Sequence, residues 1–142
     1  MILLDANLLI YAVNADAPLN KKARGWLESA LSGTETVGFP WNVILAFLRL
    51  TTRPGLFRNP LSASAAFNVV KLWLEQPTAI IIQPGPRHFT LLRELLLPLG
   101  TAGNLTSDAH LAAMCIEHGA ELCSTDTDFA RFAGLRWHNP LT

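Results

Sequence analysis

The sequence carries little charge and no excess of either sign. Only 15% of its 142 residues are Asp, Glu, Lys or Arg, and 11 basic residues balance 11 acidic ones. A broad basic face, which would show in the net charge, is therefore excluded. Any contact with RNA or DNA must use a local basic patch.

Cysteine is also scarce, and long apolar runs are missing. Cys115 lies in a helical pattern and Cys123 in a strand-like run, without metal-ligand spacing or the cysteine density of a disulfide scaffold. We expect both thiols to be buried in a reducing compartment. The N-terminus shows no basic stretch followed by a long apolar one, and no apolar run approaches the roughly 18 residues that span a bilayer. A cytoplasmic protein without membrane contact is expected.

Half of the residues are apolar, which is enough for a real core in a chain of this length. We predict a single domain over residues 1–142, with some of its apolar surface covered by a partner.

Short apolar runs alternate with helical patterns. Strands are expected at Ile2–Leu4, Thr36–Phe39, Ala79–Ile82, Glu121–Ser124 and Leu135–Trp137. Asn20, Ser62 and Asn104 are candidate N-caps of the intervening helices. Gly119 is the candidate glycine that ends the helix bearing Asp108. This alternation predicts an α/β fold, a three-layer α/β/α sandwich around a mainly parallel sheet of about five short strands.

Acidic residues recur where strands give way to helices. Asp5 follows the first strand, Asp108 opens a helical pattern, and Asp126 and Asp128 follow the fourth strand. Open parallel sheets bind ligands at the carboxyl ends of their strands. Because clustered carboxylates repel one another, a cation stabilises such a group. The placement predicts a metal-dependent phosphodiesterase.

Each of these residues also has a structural explanation. Asp5 could cap the following helix, and Asp108 in a first helical turn is favoured by the helix dipole alone. Asp126 and Asp128 suit a capping turn, and one of the two is expected to be structural. The shared position at strand ends is what favours function.

Three blocks of the sequence stand out, namely Leu4-Asp5-Ala6-Asn7, Gly103–Ala112 and Ser124-Thr125-Asp126-Thr127-Asp128-Phe129. They resemble the conserved blocks of PIN-domain ribonucleases, and in particular those of the VapC toxins of bacterial type II toxin–antitoxin pairs. The resemblance covers essentially the whole chain. It implies a PIN-like fold and a toxin that hydrolyses RNA phosphodiester bonds by metal-activated water.

The resemblance also implies roles for individual residues. Asp5 and Asp108 match carboxylates that bind Mg²⁺, with Mn²⁺ as a substitute, and Asp126 matches the third acidic position. Asp128 would support Asp126, while Asn7 and Thr125 match polar residues beside the site.

One position departs from the family pattern. A Glu is usual in the helix after the second strand, whereas Ala46 stands there within Trp41–Arg49. Ala46 could mark a subfamily that works without the Glu, a weakened enzyme or an engineered substitution. The alternative function is a silenced PIN module that binds RNA or an antitoxin without efficient cleavage.

A receiver-like phospho-acceptor domain also gathers Asp residues and Mg²⁺ at strand ends. It is disfavoured because such domains usually carry a late Lys, whereas Lys occurs here only at positions 21, 22 and 71.

Partners follow from the resemblance and the apolar surplus. We expect a homodimer, inhibited by a VapB-type antitoxin that docks on Trp41–Leu61. Arg49, Arg53 and Arg58, together with Arg87 and His88, could grip the RNA substrate or simply be solvated surface.

Overall fold

A computed structural model describes residues 1–142, which form one five-stranded parallel sheet flanked by helices. The strands are β1 (Ile2–Leu4), β2 (Val37–Pro40), β3 (Ala79–Ile82), β4 (Glu121–Cys123) and β5 (Trp137–His138), in the spatial order β3-β2-β1-β4-β5. The predicted α/β sandwich is confirmed.

Six α-helices and three short 3-10 helices connect the strands. The α-helices are α1 (Ala6–Val13), α2 (Asn20–Ser32), α3 (Trp41–Thr52), α4 (Ala63–Leu74), α5 (His88–Leu96) and α6 (Thr106–Glu117). The 3-10 helices are Leu97–Leu99, Gly103–Leu105 and Thr127–Arg131. None of the helices is both long and apolar enough to cross a bilayer.

The strands are added to the sheet on both sides of β1. β2 and then β3 add on one side of β1, whereas β4 and then β5 add on the other. All four strand pairings are parallel. The carboxyl ends of β1 and β4 therefore border the crevice where open α/β sheets bind ligands.

The centre of the sheet is densely packed. β1 and β2 are buried along their whole length, as expected for parallel strands covered on both faces. Gly38 in β2 leaves no room for a side chain, because an added Cβ would lie 2.8 Å from Ile82 Cγ1 and 3.0 Å from Leu3 Cδ1. Cys115 and Cys123 are free and buried, as predicted.

Some predicted helix ends are correct and others are wrong. Ser62 caps α4 by accepting a hydrogen bond from the Ala65 N–H. Gly119 ends α6 with φ of +64°, and the Ala120 N–H donates to the Cys115 carbonyl, completing a Schellman motif. Asn20 is not a cap: it lies inside α2 and donates to two carbonyls of α1. Asn104 lies in a 3-10 helix and caps nothing.

Five predicted strand ends, in β2, β4 and β5, shift by one or two residues. Thr36 and Leu135 precede their strands, and Ser124 follows β4. Pro40 is both the last residue of β2 and the N-cap of α3.

Candidate metal centre

Asp5 and Ser124 lie side by side at the carboxyl edge of the sheet. Leu4 of β1 pairs with Cys123 of β4, so the next residue of each strand emerges at the same edge. The Asp5 N–H donates to the Cys123 carbonyl at 3.0 Å, which extends the ladder by one bond. The register of two adjacent strands thus fixes this pair.

The Asp5 carboxylate is held by both of its oxygens. Oδ1 accepts from the Ala6 N–H at 2.7 Å, while Oδ2 accepts from Ser124 Oγ at 2.7 Å and from Asn7 Nδ2 at 3.3 Å. Asp5 therefore caps α1 and also faces the crevice. Burial raises the pKa of Asp5, the hydrogen bonds from Ser124 and Ala6 oppose that rise, and the charge of Asp126 adds to it.

Three further carboxylates form a compact group next to Asp5. One oxygen each from Asp108, Asp126 and Asp128 lies within 4.8 Å of the other two. Asp108 comes from the first turn of α6, and the other two come from the start of the last 3-10 helix. The three side chains thus converge from two elements.

Hydrogen bonds fix Asp126 within the group. Asp126 Oδ1 accepts from the Asp128 N–H at 2.9 Å, and the Asp126 N–H donates to Ser124 Oγ at 3.0 Å. Asp128 is exposed and also contacts Arg131 at 3.5 Å. Asp126 is therefore both the cap of its helix and a member of the group.

Both burial and the neighbouring carboxylates raise the pKa of Asp108. Burial raises the pKa of Asp108 to about 6, and the charges of Asp126, Asp5 and Asp128 contribute in that order. All four carboxylates thus act on one electrostatic site, which a cation would stabilise.

The structure brings the predicted carboxylates to one edge of the sheet. Asp128, expected as a support, forms the compact group with Asp108 and Asp126, whereas Asp5 is joined to Asp126 through Ser124. Asn7 also donates from Nδ2 to Ser124 Oγ at 3.2 Å, beside the site as expected. Thr125 contributes its backbone N–H, which donates to Asn7 Oδ1 at 3.5 Å.

Ser124 lies in the third sequence block, but the sequence pattern assigned it no role. Its fully buried side chain joins Asp5, Asn7 and the Asp126 backbone. A polar residue directly after a buried central strand is the signal that could have identified it. Ser124 therefore links the loop that begins at Asp5 to the loop that contains Asp126 and Asp128.

The donor set suits a hard divalent cation. Every side-chain ligand in the compact group is a carboxylate oxygen, the type of ligand that Mg²⁺ and Mn²⁺ prefer. No Glu joins this group, and Ala46 lies half-buried on α3, packed against the core. The set consists of Asp residues only.

Comparison with known proteins identifies the family. The PIN domain profile matches residues 2–135 of this chain. The chain belongs to the PIN-domain family. Ribonuclease VapC37 of Mycobacterium tuberculosis is 47% identical over 140 residues, covering 99% of this PIN domain chain and 97% of the relative. Ribonuclease VapC33 of the same organism is 42% identical over 141 residues, covering 99% of both chains. The predicted resemblance to VapC proteins is confirmed.

Solved structures share the fold of this PIN domain at low sequence identity. VapBC2 from Rickettsia felis, bound to a DNA fragment from its promoter, aligns with a TM-score of 0.73 at 21% identity and covers 98% of both chains. VapC20 of Mycobacterium tuberculosis, described as a sarcin-ricin loop cleaving toxin, aligns with a TM-score of 0.66 at 18% identity. That alignment covers 96% of this chain and 99% of VapC20.

Proposed function

We propose that residues 1–142 act as a single PIN domain, the toxin of a type II toxin–antitoxin pair, which hydrolyses RNA phosphodiester bonds with Mg²⁺ or Mn²⁺. The observation that carries this proposal is the compact group of Asp108, Asp126 and Asp128 beside the anchored Asp5. Relatives named ribonuclease, at 42–47% identity, support the activity. An RNA substrate makes the cytoplasm the expected location.

The side chains of the chain would divide the work in the following way. Asp108, Asp126 and Asp128 would hold the ion, and Asp5 would complete the negative site from the β1 side. A bound divalent ion supplies a Lewis acid for the phosphate and activates water as the nucleophile. Ser124 and Asn7 orient Asp5, so its carboxylate needs little rearrangement when substrate binds.

The test is cleavage of an RNA panel with Mg²⁺ or Mn²⁺. We expect the wild type to cleave, and Asp108→Asn and Asp5→Asn to lose at least about 100-fold in rate because the charge that holds the ion and substrate is reduced. Asp16→Asn makes the same change at an exposed position outside the site and is expected to cleave normally. Equal rates for the wild type and Asp108→Asn would refute the assignment.

A second candidate function is a PIN module that binds RNA or an antitoxin without efficient cleavage. The observation that favours it is Ala46, because no Glu joins the carboxylate group. Mn²⁺ binding without cleavage in both the wild type and Ala46→Glu would support this module, whereas cleavage gained in Ala46→Glu would indicate a silenced nuclease. Efficient cleavage by the wild type would exclude it.

We further propose a VapB-type antitoxin and a second copy of this chain as partners. The solved neighbour from Rickettsia felis is a VapBC complex. Segment Trp41–Leu61 exposes the large apolar side chains of Trp41, Leu45 and Leu56, which suits the predicted docking of an amphipathic antitoxin segment. Light scattering tests the homodimer, and a monomer at high concentration would contradict it.

A further inference from the structure

A cavity of about 450 Å³ opens beside the candidate metal centre. It is lined by Asn7, Ile10, Tyr11, Leu50, Arg53, Pro54, Gly55 and Leu56. Asn7 belongs to both sites, because its Nδ2 contacts Asp5 and Ser124. A group seated in this cavity would therefore lie next to the carboxylates.

Two elements build the walls of the cavity. Asn7, Ile10 and Tyr11 are spaced by three and four residues on α1, which places them on one helix face. The loop after α3 forms the opposite wall, and Gly55 adopts φ of +113°, a backbone conformation that only glycine adopts readily. The base of the loop is tied to α3 by the Leu61 N–H, which donates to the Thr51 carbonyl.

The lining combines an aromatic ring, apolar side chains and one free cation. Tyr11 is the only tyrosine of the chain, and its side chain is partly exposed. Arg53 is exposed and takes part in no ion pair. Leu50 and Leu56 complete the apolar surface. Proteins bind unpaired nucleotides in this way, with bases on aromatic or apolar faces and phosphates on Arg or Lys.

The volume of the cavity and the positive charge of Arg53 suit an unpaired nucleotide. The cavity falls within the range of about 300–1,000 Å³ that small-ligand sites occupy. Because the chain has no net charge, attraction to RNA must come from individual basic side chains near the site. Arg53 is such a side chain, whereas Arg49 and Arg58 do not line the cavity.

We propose that this cavity is a nucleotide-binding subsite, which receives an unpaired base of single-stranded RNA next to the scissile phosphate. Tyr11 stacks on the base, and Arg53 pairs with the neighbouring phosphate. This proposal rests on the proposed ribonuclease function. It makes Tyr11 and Arg53 determinants of where the RNA is cut, without a part in the chemical step.

The first measurement is RNA binding in EDTA, where cleavage does not interfere. Fluorescence anisotropy of labelled single-stranded RNA is expected to show about tenfold weaker binding for Tyr11→Ala, since base stacking is lost, and near-normal binding for Tyr11→Phe. Arg53→Ala is expected to weaken binding. The slope of log affinity against log salt concentration should become less steep by about 1, as expected for the loss of one phosphate contact. Arg93→Ala removes an exposed cation on α5 and serves as the control with unchanged binding.

The second measurement is steady-state cleavage with Mn²⁺. Tyr11→Ala and Arg53→Ala should raise KM while kcat changes little, because both contacts exist before and during the reaction. Cleavage by Tyr11→Ala should be less selective for the nucleotide beside the cut. Circular dichroism verifies the fold, and if Tyr11→Ala fails to fold, Tyr11→Phe and Arg53→Ala carry the test.

The outcomes separate this proposal from the proposed function. Normal RNA binding and normal KM in both Tyr11→Ala and Arg53→Ala would overturn the subsite while leaving the ribonuclease assignment intact. Loss of binding to an antitoxin-derived peptide, with RNA binding unchanged, would also overturn it. If the wild type does not cleave RNA, the anisotropy series still decides whether the cavity binds a nucleotide.

Discussion

At the scale of single residues, Ser124 has the greatest influence on the site relative to its size. Its hydroxyl donates to Asp5 Oδ2 and accepts from the backbone of Asp126, so one oxygen aligns carboxylates from both sides of the crevice. Ser124 lies where β1 and β4 meet, and the Asn7 side chain adds further contacts to both acidic loops. The site depends on a residue that carries no charge.

We predict that Ser124→Ala lowers Mn²⁺ affinity and RNA cleavage about 10- to 100-fold, the usual effect of losing a residue that orients a metal ligand. Ser124→Thr keeps the hydroxyl and should retain most of the activity. Titration calorimetry and cleavage rates provide the measurement. Wild-type affinity and rate in Ser124→Ala would show that Asp5 needs no such support.

Asp108 leads to a prediction about pH. Its pKa is 3.8 in an ordinary environment and about 6 in the folded chain, so the folded state binds this proton more tightly than the unfolded state. The resulting stability is present below about pH 4 and is lost as pH rises through about 6. In EDTA, the wild type should therefore be less stable at pH 7 than at pH 5.

Asp108→Asn removes the ionisable group that destabilises the folded state at pH 7. We expect the variant to be more stable than the wild type at pH 7 in EDTA by about 1 kcal/mol, after allowance for solvent screening and for a weaker helix-dipole interaction. The difference should shrink towards pH 4. Urea unfolding at several pH values measures it, and a pH-independent difference would contradict an origin in the ionisation of Asp108.

Residue types alone did not determine which carboxylates would converge. The sequence places Asp126 and Asp128 after a strand, but the direction of each side chain is set by the 3-10 helix Thr127–Arg131, whose N-cap is Asp126. Ser124 follows a buried strand in the sequence, but its contact with Asp5 can be inferred only once β1 and β4 are known to be neighbours. The acidic positions were predictable, whereas the turn that orients Asp126 and Asp128 and the long-range pairing that places Ser124 beside Asp5 were not.

At the scale of elements, the central strands tolerate no added volume. Gly38→Ala should destabilise the fold by about 1–3 kcal/mol, because the new Cβ would overlap the side chains of Ile82 and Leu3. Gly25→Ala is the matched control: Gly25 is exposed inside α2 with no atom within 4 Å of the added methyl group. That change should stabilise the fold by about 0.5–1 kcal/mol.

Thermal and urea unfolding of the two glycine variants check this pair. We expect the same Gly-to-Ala change to lower the free energy of unfolding at position 38 and to raise it at position 25. Destabilisation of similar size in both variants would mean that backbone freedom, rather than packing around β2, controls the effect.

Element positions were predictable because the apolar patterns are local, whereas several element ends were not. β5 begins at Trp137 rather than Leu135, since its ladder starts with the Leu122 N–H, which donates to the Arg136 carbonyl. Asn20 resembles a cap, yet it bonds to the end of α1. In each case the deciding partner lies in another element.

At the scale of the whole molecule, the proposed metal site predicts that metal binding and folding are coupled. If the ion binds only the folded chain, Mg²⁺ or Mn²⁺ at 100 times its dissociation constant adds about 2.7 kcal/mol of stability at pH 7. The melting temperature of the wild type should rise with metal concentration, and that of Asp108→Asn should not. A melting temperature unaffected by either ion would argue against a metal centre.

The pairing of β1 with β4 also has a consequence during synthesis. Asp5 and Ser124 are 119 positions apart in sequence, so their contact forms only after nearly the whole chain has been translated. Contacts of such long sequence separation form late in folding. A ribosome-bound chain that lacks residues 108–128 has no complete carboxylate group, so we expect the proposed ribonuclease activity to be absent until synthesis is nearly finished.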